Sequence, residues 1–137
     1  MAKIITVKEA AELVQDGAVI GSAVQGMTGW PEEIGLAIEN RFMETGHPSG
    51  ITHIHGAGQG DFGRMSCRGE CALAHDGLLS CSIHGHVGCS FKVTKQIVDN
   101  KILAYNIPLG VVGQIWREMG RGFPGLLTKV GLGTFMD

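Results

Sequence analysis

Thiol and imidazole side chains are concentrated between residues 67 and 89, which makes this stretch a first candidate for chemistry. Its members are Cys67, Cys71, His75, Cys81, His84, His86 and Cys89. Thiolate and imidazole are the ligands that zinc prefers, so a structural zinc site is one hypothesis. No pair of these cysteines has the Cys-x2-Cys spacing of a zinc knuckle, however, and free cysteine is commonly a small core residue. The sequence therefore favours packing in the core, and we assign no metal ligand.

Two glycine-bearing loops form the second candidate, at residues 25–30 and 56–60. Each follows an apolar run, and loops at the carboxyl ends of parallel strands form the ligand crevice of open α/β sheets. Their backbone N–H groups can stabilise a developing negative charge, although an ordinary strand–helix turn has the same pattern. The pair Glu32–Glu33 argues against phosphate binding after the first loop. The second loop lacks the following helix and the acidic partner of a dinucleotide site.

Strands and helices alternate along the chain and would position these loops. A capping box, Thr6 with Glu9, begins the first helix, which is expected to continue to about Gln15, and Pro31 begins the second. The expected strands are 18–24, which is apolar and expected to be buried, 51–55, 79–86 and 102–107. The remaining helices are expected at 67–75, 90–100 and 111–119. This order predicts one α/β domain over residues 1–137, with three α/β/α layers around a mostly parallel, Rossmann-like sheet.

Composition excludes several classes of protein. The chain has 137 residues, a formal net charge of −2 and no apolar run long enough to span a membrane, so neither nucleic-acid binding nor membrane insertion is expected. The first residues do not form a signal peptide, which predicts a cytoplasmic protein with reduced cysteines. Only 18% of the residues are charged, and an apolar run lies close to Asp137. These features predict an incomplete domain that a partner subunit or further polypeptide covers.

Several stretches, in this order, resemble family I CoA-transferases, and the propionate and acetate enzymes in particular. Residues 16–32 are similar to the amino-terminal signature of the family, in which Asp-Gly, an apolar strand, a glycine loop and Pro-Glu follow one another. The other similar stretches are 40–46, 74–79, 85–86, 99–101 with 104–106, and 123–125 with 128–135. The resemblance covers essentially the whole chain and is more specific than any motif above.

The resemblance implies an α/β/α domain and ping-pong transfer of CoA between two carboxylic acids through a glutamyl-CoA thioester. In the family the nucleophilic glutamate lies in the second half of the protein, and neither Glu70 nor Glu118 is in its motif. The chain is therefore expected to be an amino-terminal part that lacks a catalytic residue of its own and is inactive alone. CoA is a substrate of such an enzyme, so no cofactor is expected. The expected small-molecule partners are an acyl-CoA and a small carboxylic acid. The expected protein partner is the missing half or a second subunit, in a homo-oligomer.

The resemblance and the loop positions together indicate six candidate substrate-binding residues. Gln25, Gly26 and Met27 are expected to face the acyl group. Neighbouring walls of the same crevice are expected from Gly58, Gln59 and Leu109. Two departures from the family affect this site: its Gly-Gly-Phe is replaced by residues 23–25, Ala-Val-Gln, and a glutamine common before Gly110 is replaced by Leu109. Both changes are expected to alter the acyl pocket.

Two alternatives remain open at this point. A non-catalytic acyl-CoA-binding or regulatory module would keep the fold and lack the nucleophile. A small zinc-stabilised domain would use the Cys/His stretch between residues 67 and 89 instead.

Overall fold

The structure is a computed structural model that describes residues 3–23, 26, 28–60 and 68–137. Four strands and four α-helices alternate, with one 3₁₀ helix between the second and third strands. In chain order the elements are α1 (Val7–Glu12), β1 (Val19–Ser22), α2 (Glu32–Thr45), β2 (Ile51–Ala57), the 3₁₀ helix (Gly69–Leu73), β3 (Leu79–His86), α3 (Phe91–Val98), β4 (Leu103–Asn106) and α4 (Leu109–Gly120).

The strands form one parallel sheet in the order β1-β2-β3-β4. Gly21, Ile54, Ile83 and Tyr105 are neighbours across it. Parallel neighbours need a crossover connection, and α2, the 3₁₀ helix and α3 supply the three crossovers. The predicted α/β class with a parallel sheet is confirmed.

Helices cover both faces of this sheet, as the alternation predicts. Side chains alternate along a strand, so His53 and His55 of β2 lie on one face while Gly56 lies on the other. The first face packs against α1, α2 and α3 around a core of Ala11, Ile38, Ile51, Leu73, Leu78, Leu79, Val93 and Ile102. The second face packs against α4, whose Trp116 and Leu109 side chains lie over Gly21 and Gly56.

The local signals at two helix ends act as expected. Thr6 Oγ1 accepts the Glu9 backbone N–H at 3.2 Å while Glu9 Oε2 accepts the Thr6 N–H at 2.7 Å, which completes the capping box of α1. Helix α2 ends at Gly46, whose φ of 74° is a left-handed conformation that glycine adopts without strain. These contacts fix where α1 begins and where α2, the first crossover, ends.

Two sequence predictions are corrected by the structure. The segment 18–24 was expected to be a buried strand, but β1 lies at the sheet edge and 59% of Val19 is exposed. A helix was expected over 67–75, but the described part of that segment is the short 3₁₀ helix. Its Glu70 N–H donates to the Gln59 carbonyl at 2.8 Å, so this backbone is held against the preceding loop instead of continuing as an α-helix.

No helix in the described part of the chain is long and apolar enough to cross a membrane.

Candidate functional site

The loops that follow β1 and β2 are joined by side chains at the carboxyl end of the sheet. Ser22, the last residue of β1, donates its hydroxyl proton to Gln59 Oε1 at 2.7 Å. Gln59 Nε2 in turn donates to the Ser22 carbonyl at 3.3 Å. Gln59 is completely buried, so its side chain positions the two loops relative to one another.

Gly58 joins the loop after β2 to the loop after β3. Its N–H donates to the His86 carbonyl at 2.5 Å. A Cβ atom at this position would lie 3.0 Å from Ser90 Oγ and 3.1 Å from both Cys89 Cβ and the Val87 carbonyl oxygen. Only glycine fits this close approach without displacing the neighbouring loop.

Leu109 begins α4 and lies over the ends of two strands. A Cβ at Gly56 would be 3.3 Å from Leu109 Cδ2, and one at Gly85 would be 2.6 Å from Leu109 Cγ. The leucine is nevertheless 43% exposed, so part of its side chain faces outward. Leu109 thus lies at the carboxyl end of β2 and β3, and its role as a crevice wall stays a prediction.

The other predicted site residues are only partly within the described chain. Gly26 is described and half-buried, whereas Gln25 and Met27 lie outside the described residues. The structure thus brings Gly58, Gln59 and Leu109 to one end of the sheet, with Gln59 and Leu109 directed to opposite faces. Contact between these residues and a ligand stays a prediction.

A cavity of about 140 Å³ adjoins this end of the sheet, between β1 and α2. Ser22 and His53 line it on one side, and apolar side chains of Trp30, Ile34 and Ile38 line it on the other. A cavity of about 150 Å³ accommodates a ligand the size of benzene. The space therefore matches a small molecule with about six non-hydrogen atoms.

A buried group of two histidines and one glutamate lies beneath the same loops, and sequence reasoning missed it. His53 and His55 are 2% and 0% exposed on β2, and Glu70 of the 3₁₀ helix is 0% exposed. Glu70 Oε2 lies 3.7 Å from His53 Nδ1 and 3.3 Å from His55 Nδ1. The two imidazole rings stack with centroids 4.5 Å apart. A His-x-His pair in a predicted strand was the available signal, because residues two apart share a face.

On the ring side away from Glu70, the Nε2 atom of each imidazole lies at hydrogen-bond distance from a serine hydroxyl. The Ser22 hydroxyl gives its proton to Gln59, so it accepts from His53 Nε2 at 2.7 Å, and the lone pair of His53 is then on Nδ1. Ser82 Oγ lies 3.1 Å from His55 Nε2 and 2.9 Å from His84 Nδ1, within hydrogen-bond distance of both rings. Among the described residues, His55 Nδ1 and both carboxyl oxygens of Glu70 have no hydrogen-bond partner.

Burial shifts the ionisation of all three groups. Desolvation lowers the pKa of His53 well below its usual value, and His55 and His84 nearby add to this effect. Desolvation also lowers the pKa of His55 to about 4. It raises the pKa of Glu70 to about 8, while the Ser90 hydroxyl and the Gln59 backbone oppose this rise. Without a bound cation, the site therefore contains two neutral imidazoles and a largely protonated carboxyl group at neutral pH.

The described members of the Cys/His stretch are dispersed. His75 Nε2 contacts Glu39 Oε1 at 2.5 Å, and Cys89 Sγ lies 3.7 Å from His86 Nδ1. Cys71 and Cys81 are buried, which confirms the core interpretation for these two, while Cys67 lies outside the described residues. Within the described ranges, the group whose donor atoms could hold a metal ion is instead His53, His55 and Glu70.

Comparison with known proteins relates the chain to CoA-transferases. It is 42% identical over its full length to the caffeate CoA-transferase of Acetobacterium woodii, and 31% identical over 98% of its length to the acetate CoA-transferase YdiF of Escherichia coli K12. It covers 26% and 25% of these relatives, so the chain spans about a quarter of the length of the curated proteins it matches. No protein-family model matches the chain.

Solved structures give the same relationship. The YdiF acyl-CoA transferase of E. coli O157:H7 in a thioester complex with CoA superposes with a TM-score of 0.86 at 30% identity, over 97% of this chain and 26% of that one. The YdiF apoenzyme gives a TM-score of 0.87 at the same identity. The resemblance predicted from the sequence, and the fold it implies, are confirmed.

Proposed function

We propose that this chain, related along its full length to CoA-transferases, is one part of an enzyme that moves CoA between short-chain carboxylic acids. The observation that carries the proposal is the match over 97% of the chain to an acyl-CoA transferase solved as a CoA thioester. The small cavity beside Ser22 supports short acids as substrates, because acetate and propionate have four and five non-hydrogen atoms.

The proposed reaction is a double displacement at a glutamate that lies outside this chain. The glutamate carboxylate attacks the carbonyl carbon of the acyl-CoA and the CoA thiolate leaves, which forms a mixed anhydride. The thiolate then attacks the glutamyl carbonyl, so the first acid leaves as its carboxylate and a glutamyl-CoA thioester remains. The second acid then reacts through the same two steps in reverse and leaves as its CoA thioester. The glutamate is regenerated, and no water is consumed.

The role proposed for this chain is to build the acyl-side wall of the site. Backbone N–H groups of the loop that contains Gly26 would stabilise the oxyanion that develops on the thioester carbonyl. Gly58 and Gln59 would fix the second loop. Leu109, where the family commonly has a glutamine, would form a wall of the crevice on the other face of the sheet, away from the cavity beside Ser22. The amide contacts of Gln59 with Ser22 make it a positioning residue in this arrangement.

The remaining partners are proposed from surface chemistry and length. Apolar side chains on the edge strands are exposed, with Leu103 63% and Tyr105 55% accessible. A further segment of polypeptide or a second subunit that carries the glutamate would cover such a surface, as the quarter-length match also suggests. Cys71, Cys81 and Cys89 are free thiols, which is consistent with the proposed cytoplasmic location.

Substitution of Gly58 tests whether these loops form the substrate site. Gly58→Ala places a methyl group 3.0–3.1 Å from Ser90, Cys89 and Val87, so the two loops must separate by a few tenths of an ångström. Misplacement of catalytic loops on this scale costs on the order of tenfold or more in kcat/KM. We expect that loss in acetyl-CoA:propionate transfer by the protein expressed from the complete reading frame.

Gly113→Ala is the matched control, because a Cβ at this position of α4 meets no atom within 4 Å. Transfer activity of that variant should equal the wild-type value. Equal activity in Gly58→Ala and Gly113→Ala would contradict the assignment of these loops to the substrate site. Tight binding of acyl-CoA without transfer by the complete protein would support the regulatory module instead.

A further inference from the structure

Two of the three distances between donor atoms in the His53–His55–Glu70 group match those of a tetrahedral metal site. With Zn–N and Zn–O bonds of 2.0–2.2 Å, two ligand atoms of a tetrahedral zinc ion lie about 3.3–3.5 Å apart. The two Nδ1–Oε2 distances here are 3.3 and 3.7 Å, and one donor atom from each of the three residues lies within 4.8 Å of the others. A charge-assisted N–H···O bond would instead be about 2.7–2.9 Å long. The spacing therefore fits an ion between the three groups better than direct pairing.

The surrounding hydrogen bonds leave Nδ1 of both histidines facing this space. Ser22 holds His53 by Nε2, which leaves the Nδ1 lone pair on the side of Glu70. Ser82 lies at hydrogen-bond distance from Nε2 of His55, again on the ring side away from Glu70. Metal-binding histidines are commonly oriented in this way, because the second ring nitrogen donates to a polar group.

The buried acceptors also need a cation or a proton. His55 Nδ1 and Glu70 Oε2 lie 3.3 Å apart, and within the described chain neither makes a hydrogen bond of normal distance and angle. Buried polar atoms are rarely left in this state, because the unmade hydrogen bonds cost about 1–3 kcal/mol each. A divalent cation between them would satisfy both atoms at once.

We propose that His53, His55 and Glu70 bind a divalent transition-metal ion of the zinc class. Two imidazoles and one carboxylate are a known ligand set for zinc, and they leave the fourth position to water. The ion would connect β2 to the 3₁₀ helix. Since the Glu70 N–H donates to the Gln59 carbonyl at 2.8 Å, it would also fix the loop that carries Gly58 and Gln59. This proposal does not depend on the CoA-transferase activity.

Metal analysis of the complete protein that contains this chain tests the proposal directly. The protein is incubated with ZnCl₂, dialysed against metal-free buffer and analysed by mass spectrometry for zinc per chain. We expect about one ion more per chain in the wild type than in His55→Asn or Glu70→Gln, since three-ligand sites lose most of their affinity when one ligand is removed. His47→Asn is the matched control, because His47 is exposed and pairs with Asp16 instead; this variant should retain zinc at the wild-type level.

Two further measurements keep the test decisive if the variants fold poorly. Addition of zinc to the chelator-treated wild type should raise its Tm, and renewed chelation should reverse the rise. Substitution with Co²⁺ should give the visible bands of a tetrahedral site without the near-ultraviolet band of cobalt–thiolate bonds. Equal zinc content in the wild type and both ligand variants, with no change of Tm, would overturn the proposal. The space would then be occupied by the proton of a neutral Glu70 carboxyl group. A thiolate band would overturn it in favour of cysteine ligands.

Discussion

At the scale of single residues, the Ser22 hydroxyl connects the predicted loop site to the buried histidines. It donates to Gln59 and accepts from His53, so one oxygen atom sets both the loop contact and the tautomer of the imidazole. Sequence reasoning selected Gln59 from its loop position but gave no role to Ser22. The alternation of β2 could have predicted that His53 and His55 share a face. The approach of Glu70 could not be predicted, because it depends on the path of the chain between β2 and the 3₁₀ helix.

Removal of this hydroxyl should destabilise the protein. Ser22→Ala removes the acceptor of His53 Nε2–H and the hydroxyl that donates to Gln59 Oε1. An unsatisfied buried donor such as His53 Nε2–H costs about 1–3 kcal/mol. We expect a loss of that size in the free energy of unfolding, measured by urea titration. Ser80→Ala provides the comparison, because Ser80 is an exposed serine that donates to the carbonyls of Gly50 and Ile51. Its loss should stay within about 0.5 kcal/mol. Equal losses in the two variants would contradict the network described here.

At the scale of secondary-structure elements, the predicted bounds agree with the structure where neighbouring residues determine them, and differ where contacts between elements do. The alternating segment 79–86 forms β3 over the predicted residues, and the capping box begins α1 as expected. Helix α1 ends at Glu12 instead of continuing to Gln15, because Arg41 of α2 donates to the carbonyls of Ala11 and Val14. That contact crosses two elements. The edge position of β1 is likewise set by strand order, which local patterns do not contain.

Asp16 joins the turn before β1 to the turn before β2 and should make the fold acid-sensitive. Its carboxylate pairs with His47 Nδ1 at 2.8 Å and accepts the Ser49 N–H at 2.8 Å. The His47 contact first, and then the Ser49 N–H, lower the pKa of Asp16 below 3.8. The folded state therefore binds fewer protons here than the unfolded chain, and this contribution is lost as pH falls through the folded pKa. The urea midpoint of Asp16→Asn should lie below that of the wild type at neutral pH, and the two should converge as the pH falls below the ordinary pKa of an aspartate. A difference that does not change with pH would contradict this assignment.

At the scale of the whole molecule, the apolar surface and the length of the relatives lead to the same proposal. Exposed apolar side chains occur on both edge strands and throughout the segment after α4, where Leu127 and Phe135 are 101% and 84% accessible. The low charged fraction predicted such a surface, because too few polar side chains are available to cover it. The proteins that this chain matches are about four times longer. The proposed enzyme thus consists of this α/β unit together with a further part that supplies the glutamate.

The most direct measurement of this account is CoA transfer from acetyl-CoA to propionate, with this chain alone and with the protein expressed from its complete reading frame. We predict that the complete protein forms propionyl-CoA and free acetate in equal amounts, and that the chain alone forms neither above the uncatalysed rate. The same experiment with other acceptor acids, including caffeate, would define the substrate range. Absence of transfer by the complete protein with every acid would contradict the proposed function, and transfer by the chain alone would contradict the placement of the glutamate outside it.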